Sequence, residues 1–180
     1  MTTGIKFSGF GGQGVILAGM IVGRAASIYD NKYAVHTQVI GPEARGSACS
    51  ASVIISGEKI LFPYVPKPDI LMALSQEAGA RFLPTATDNA TVLIEEDLVK
   101  LKDVKPGMKV YAIPATRLAE ELGSKVSLNV VMIGFFAAVT KLISYDAAKA
   151  AVKDSVPSHT EAVNIAALDR GYEYGKKLVS

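Results

Sequence analysis

A chain of 180 residues with 49% hydrophobic side chains is long enough for one domain with a full core. Its formal charge of +2, from 19 basic and 17 acidic residues spread along the sequence, is too small to mark a nucleic-acid binder or a membrane-surface protein. Cys49 is the only cysteine, which excludes an internal disulfide and an iron–sulfur cluster held by this chain, and fits a reducing cytoplasm. Met1-Thr-Thr-Gly lacks a basic n-region, so no signal peptide is expected. The longest uncharged stretches do not suit a spanning helix: 7–23 carries six glycines and 127–140 is too short.

The first elements are a short strand at 6–8, the turn Gly9-Phe10-Gly11-Gly12-Gln13-Gly14, and an apolar helix over 15–27. After a turn at 29–31 a strand is expected at 33–37, then a polar loop at 38–47 and a strand at 48–55. Ser56-Gly57-Glu58-Lys59 leads into Ile60-Leu61-Phe62, which reads as a β-hairpin with the preceding strand. Pro63, Pro66 and Pro68 then interrupt regular structure. The apolar run 70–74 is a strand buried on both faces, and Ser75 caps a helix over 76–82. Strands follow at 91–94 and 109–113, with a helix at 116–122 stopped by Gly123. The remainder is helical: a buried apolar helix over 128–143, one over 145–153 capped by Ser144, and an amphipathic one from Pro157 or Ser158 through Lys177. The order predicts a single α/β domain over 1–180, a Rossmann-like layered fold with a mostly parallel sheet, one hairpin and C-terminal helices.

The glycine turn carries the strongest chemical signal. Strand, Gly-rich turn and helix in that order present backbone N–H groups and a helix N-terminus to a phosphate. Gly9 would permit a tight turn, Gly11 and Gly12 a close approach, and Gly14 close helix–strand packing, while the Gln13 amide both donates and accepts. The bland alternative is a structural turn with no ligand. A dehydrogenase would also place Asp or Glu at the end of its second strand to hold ribose hydroxyls, but His36, Thr37 and Gln38 stand there. If the turn holds a ligand, that ligand is expected to be a phosphate compound other than NAD.

The second informative segment is Gly41-Pro42-Glu43-Ala44-Arg45-Gly46-Ser47. Arg45, a forked permanent cation among small residues, suits phosphate or carboxylate recognition, or else forms a weak surface pair with Glu43. Asn129 and Asn164 are polar positions in apolar helices, either capping support or aimed at the site. Ser75 reads first as a helix cap, and Cys49 and His36 as core or rim residues. No metal-ligand spacing, Gly-x-Ser-x-Gly or Walker lysine occurs, so no complete catalytic centre is expected in this chain.

With both loops in view, the chain resembles the gamma subunit of the 2-oxoacid:ferredoxin oxidoreductases. The residues that carry the likeness are 9–14 followed by Val15-Ile16-Leu17-Ala18-Gly19, then 41–46, Pro68-Asp69 and Leu74-Ser75-Gln76-Glu77-Ala78. They cover the first half of the chain closely and the second half more loosely. The Leu-Ser-Gln-Glu-Ala stretch is most similar to the 2-oxoglutarate type, with pyruvate, 2-oxoisovalerate and indolepyruvate types as alternatives. Ile40 and Ser47 depart from the family loop, which commonly has an aromatic and a glycine there. The resemblance implies an oxidoreductase subunit that is not self-sufficient, in a complex that converts a 2-oxoacid to acyl-CoA and passes electrons to ferredoxin. It implies thiamine diphosphate, magnesium and iron–sulfur clusters on alpha and beta subunits and a ferredoxin-like delta subunit. It further implies coenzyme A at a shared site, with Gly9, Gly11, Gly12, Gln13, Gly14 and Arg45 as cofactor-binding residues. A nucleotide- or phosphate-binding module without catalysis is the alternative from another class.

Overall fold

The structure, a computed structural model, describes residues 2–40 and 48–180. Arg45 and the rest of the 41–47 loop lie outside them. Six strands form one sheet: β1 (Thr2–Phe10), β2 (Tyr33–Ile40), β3 (Ala48–Ser56), β4 (Ile70–Ala73), β5 (Thr91–Glu95) and β6 (Lys109–Ile113), in the spatial order β2-β3-β1-β4-β5-β6. β1, β4, β5 and β6 pair in parallel, whereas β3 runs against both of its neighbours, β1 and β2. The mostly parallel α/β layering expected from the sequence is present.

The hairpin lies elsewhere than the sequence suggested. Residues 60–62 belong to no strand, and Leu61 and Phe62 are 86% and 63% exposed. The reason is edge occupancy. β3 is hydrogen-bonded along one edge to β1 and along the other to β2, so it has no edge to offer a following strand. The antiparallel neighbours consecutive in sequence are β2 and β3, with Ile40 opposite Cys49. This order also alters the argument about the ribose carboxylate. β2 is not beside β1; β3 fills that place, with Cys49 opposite Gly9 and Ala48 opposite Phe10. The strand that would carry a dinucleotide's acidic residue is absent from the side of the turn where it would be needed.

Helix α1 (Val15–Arg24) is continued by a π-helical turn, Ala25–Tyr29. It packs on one face of the sheet with α3 (Ala115–Glu121), α4 (Leu128–Thr140), α5 (Tyr145–Lys153) and α6 (Glu161–Val179) around Ile5, Phe7, Met72, Leu93 and Ile113. α2 (Gln76–Phe82) and the residues after it cover the opposite face over β4 and β5, around Leu71, Ala73, Val92 and Ile94. Strand alternation divides β1 between these faces. Ile5 and Phe7 enter the larger core, where Phe7 meets Phe136 of α4 at 6.0 Å between ring centroids, while Lys6 lies over Phe82 of α2 on the other side.

Residues 128–138 of α4 are all buried, as an apolar run of that length requires. Its partner α6 approaches so closely that a Cβ on Gly171 would lie 1.8 Å from the Val131 carbonyl oxygen, and one on Gly134 would lie 2.1 Å from that of Leu168. The two helices touch backbone to backbone, which only glycine permits at these crossings. α4 ends at Thr140, earlier than the expected 143, because Lys141 turns left-handed with φ of 54°. Among the described residues, no helix is long and apolar enough to cross a membrane.

Candidate functional site

The turn between β1 and α1 sits at the carboxyl edge of the sheet, beside the end of β4. Its glycines answer to three different constraints. Gly12 has φ of 101° and is exposed, with no atom within 4 Å of the position a Cβ would take. Gly14 has φ of 69° and is the residue before helix α1, and a Cβ there would lie 2.4 Å from Asn129 Nδ2. Gly9 does not make the turn; it pairs with Cys49 of β3 and belongs to the strand. Its lack of a side chain makes room for Gln13, whose Oε1 would lie 2.5 Å from a Cβ at that position.

Gln13 explains the closeness. Its Oε1 accepts the Phe10 N–H at 2.7 Å, its Nε2 donates to the Leu74 carbonyl at 2.7 Å, and its own N–H reaches the Phe10 carbonyl at 3.1 Å. The side chain ties the end of β1 to the end of β4, with the amide both donating and accepting inside the protein. Sequence reasoning had this amide facing a ligand. The partner it finds, Leu74 O, lies 61 residues away and leaves no local pattern.

Asn129, 3% exposed at the start of α4, donates through Nδ2 to the Gly14 carbonyl at 3.3 Å. Close by, the Ser127 hydroxyl donates to Asn164 Oδ1 at 3.3 Å, and Asn164 Nδ2 donates to the Thr160 carbonyl at 2.9 Å. These side chains brace the start of α4 against α1 and α6. They also form the floor of a groove of about 270 Å³ that runs from Gly12 and Gly14 past Asn129 to Val126, Pro157 and Thr160. The structure therefore brings together the glycine turn with Asn129 and Asn164, both more than a hundred residues further along the chain.

At the mouth of this groove stands the start of α1. Gly14 supplies no capping side chain and the first turn holds no acid, so among the described residues no carboxylate or hydroxyl caps the leading N–H groups of the helix. A helix of 10 residues with its positive end uncapped beside exposed Gly12 attracts anions. By contrast the neighbouring α2 is capped: Ser75 Oγ accepts the Ala78 N–H at 3.2 Å and Glu77 lies in its first turn. Ser75 is thus a helix cap, as the sequence suggested.

The remaining candidates are structural. Cys49 is buried, and burial pushes its thiol pKa up, away from the reactive thiolate. His36 packs over Gly19 of α1, its Nε2 buried without a partner among the described residues, and burial holds its pKa down. One further residue, marked by no sequence motif, proves notable. Glu95, at the end of β5, is fully buried; its carboxylate accepts the N–H of Leu98 at 2.7 Å and of Thr116 at 3.1 Å, tying the β5 exit to the start of α3.

The family described as pyruvate ferredoxin/flavodoxin oxidoreductase matches residues 4–174. The 2-oxoglutarate synthase subunit KorC of Methanocaldococcus jannaschii is 49% identical over 177 residues, which is 97% of this chain and 94% of that protein. Among solved structures, the gamma subunit of a keto/oxoacid ferredoxin oxidoreductase from Geobacter sulfurreducens superposes with a TM-score of 0.85 at 37% identity, covering 99% of each chain. A 2-oxoglutarate:ferredoxin oxidoreductase from Magnetococcus marinus, with 2-oxoglutarate, coenzyme A and succinyl-CoA bound, gives a TM-score of 0.86 at 22% identity. This chain covers 99% of its own length there and 32% of the longer chain, a likeness of fold.

Proposed function

The chain belongs to the pyruvate ferredoxin/flavodoxin oxidoreductase family, and from that premise we propose that it is the gamma subunit of a 2-oxoglutarate-type oxidoreductase whose glycine turn receives the phosphates of coenzyme A. The observation that carries the second half is the uncapped start of α1 beside exposed Gly12, which opens onto a groove of about 270 Å³. Coenzyme A brings a diphosphate and a 3′-phosphate but needs no carboxylate on its ribose of the kind NAD uses. That matches a turn whose flank is occupied by β3.

In this reading Gly11, Gly12 and Gly14 line the diphosphate, and Gln13 holds the turn in shape through its ties to Phe10 and Leu74 rather than touching the ligand. Gly9 acts through Gln13 in the same way. Arg45 meets a phosphate or the seam with a neighbouring subunit. Thiamine diphosphate with magnesium and the iron–sulfur clusters reside on alpha, beta and ferredoxin-like delta subunits, since this chain has a single cysteine and that one is buried. The complex works in the cytoplasm and reduces ferredoxin.

The test is co-expression with the partner subunits and an assay of 2-oxoglutarate- and coenzyme A-dependent reduction of a viologen dye. Gly12→Asp points a carboxylate into open space at the proposed phosphate position, so it leaves assembly intact and raises KM for coenzyme A at least tenfold. Arg45→Ala either raises the same KM or lowers recovery of the assembled complex. An unchanged KM in both variants, with normal assembly, removes coenzyme A from this site.

A further inference from the structure

We propose that the sheet face opposite α1 holds a second anion site, a pocket for the dianionic head of a phosphate monoester between Lys6 and Arg81. The pocket is a cavity of about 240 Å³ at the border where α2 stops covering the sheet, and Ser8 and Ser50 line its floor. It stands apart from the glycine turn, on the other side of β1 from α1, and does not depend on the coenzyme A reading.

The argument begins with charge. Lys6 projects from β1 and Arg81 from the last turn of α2, and both cations lie over one ring: Lys6 Nζ is 5.1 Å and Arg81 Cζ 5.3 Å from the Phe82 centroid. Two like charges gathered beside one aromatic ring repel, and the ring alone offsets only part of that repulsion. None of the seven ion pairs among the described residues includes either of them. Glu77, one helical turn before Arg81, is exposed and forms no pair with it.

The donors are also in surplus. Lys6 Nζ donates to Ser52 Oγ at 2.9 Å, its cross-strand neighbour, which leaves two of its three N–H groups. The Arg81 guanidinium gives none of its donors to another described residue. Half-burial and the Arg81 charge both push the Lys6 pKa down, the cost of holding this pair together. Solubility alone would be served by lysine at an exposed position, without that cost.

Shape selects among anions. A single carboxylate would leave one of the two positive charges unmatched, whereas a dianion meets both. A compact ammonium on one side, a planar fork on another and the Ser50 hydroxyl beneath surround a tetrahedral group rather than a flat one, while the Ser8 hydroxyl donates to the Cys49 carbonyl at 3.4 Å. The cavity is several times larger than a bare ion needs, given roughly 30 Å³ as one water's share of liquid volume. The extra space accommodates an organic body, hence a monoester.

The experiment uses the full chain, labelled with nitrogen-15, at constant ionic strength. Inorganic phosphate, methyl phosphate and acetate are titrated in turn while the amide signals of Lys6, Ser8, Ser50 and Phe82 are followed. Saturable shifts with both phosphates, at least tenfold weaker in Arg81→Gln and in Lys6→Met, and retained in Gly12→Asp, support the site. Arg81 is exposed, so its variant keeps the test alive if Lys6→Met fails to fold. The proposal is overturned if phosphate gives no saturable shift, if acetate saturates at the same concentration, if methyl phosphate is excluded, or if Gly12→Asp abolishes the effect.

Discussion

Alanine at Gly12 and at Gly14 asks for a similar backbone conformation in two different surroundings. Both positions have positive φ, 101° and 69°, and a Cβ in that region costs roughly 1–2 kcal/mol. At Gly12 nothing lies within 4 Å of the added methyl, so that is the whole cost. At Gly14 the methyl would overlap Asn129, 2.4 Å from Nδ2, 2.6 Å from Cγ and 3.0 Å from Cβ. Asn129 is buried at the start of α4 and has little room to withdraw. Overpacking of that kind costs about 1–3 kcal/mol, and loss of the Nδ2 bond to the Gly14 carbonyl adds roughly 1 kcal/mol. Gly14→Ala should therefore destabilise the chain by about 2–4 kcal/mol more than Gly12→Ala does, read as urea midpoints at unchanged m-value. Asn129→Ala removes the two closest atoms and should recover about 1 kcal/mol or more of the Gly14→Ala loss in a double-mutant cycle. Equal losses at the two glycines, or no coupling to Asn129, would refute the account of why each glycine is there.

Gly171→Ala forces a methyl to within 1.8 Å of the Val131 carbonyl and should cost on the order of 3 kcal/mol or prevent folding, whereas an exposed alanine change at Glu173 should move the thermal midpoint little. Glu95→Ala leaves the N–H groups of Leu98 and Thr116 without their acceptor and should cost roughly 3 kcal/mol; a loss under 1 kcal/mol in chemical denaturation would mean water replaces the carboxylate freely. The His36 pKa is held below its usual value of about 6.5, so the unfolded chain binds its proton first as pH falls. Stability from this residue is complete above pH 6.5 and is lost as pH falls from there toward the folded-state pKa. His36→Gln should flatten that part of the stability–pH curve, and an unaltered slope would show that His36 is protonated equally well in the folded chain.

What was readable in advance depended on how local the cause was. The Ser75 and Ser144 caps and the apolar run of α4 each act within a few residues, so their patterns survive in one dimension. Where partners come from far along the chain, the reading failed or gave the wrong reason. The hairpin was misplaced because strand pairing is a competition for edges, and nothing near Ile60 reveals that β1 and β2 already hold both edges of β3. Gly134 and Gly171 look like ordinary weak points in helices, 37 positions apart, until the helices are crossed and each proves to admit the other's backbone.

The same rule separates the two kinds of residue within the motif. Gly9-x-Gly-Gly-Gln-Gly14 reads as one phosphate-binding unit, yet in the folded chain it divides in two. Gly9, Gln13 and Gly14 answer to Leu74, Phe10 and Asn129, which are internal contacts that would be needed in the absence of any ligand. Gly12 answers to nothing within the described chain: its left-handed backbone is exposed and empty space lies where a side chain would be. A conformation that costs roughly 1–2 kcal/mol for any other residue, kept where no internal packing demands it, leaves the turn's own geometry and whatever approaches it from outside as the causes. Loss of function without loss of fold should therefore concentrate at Gly12, and loss of fold at Gly9, Gln13 and Gly14. If Gly12→Asp unfolds the chain as readily as Gly14→Ala, that division is wrong and the turn is structural throughout.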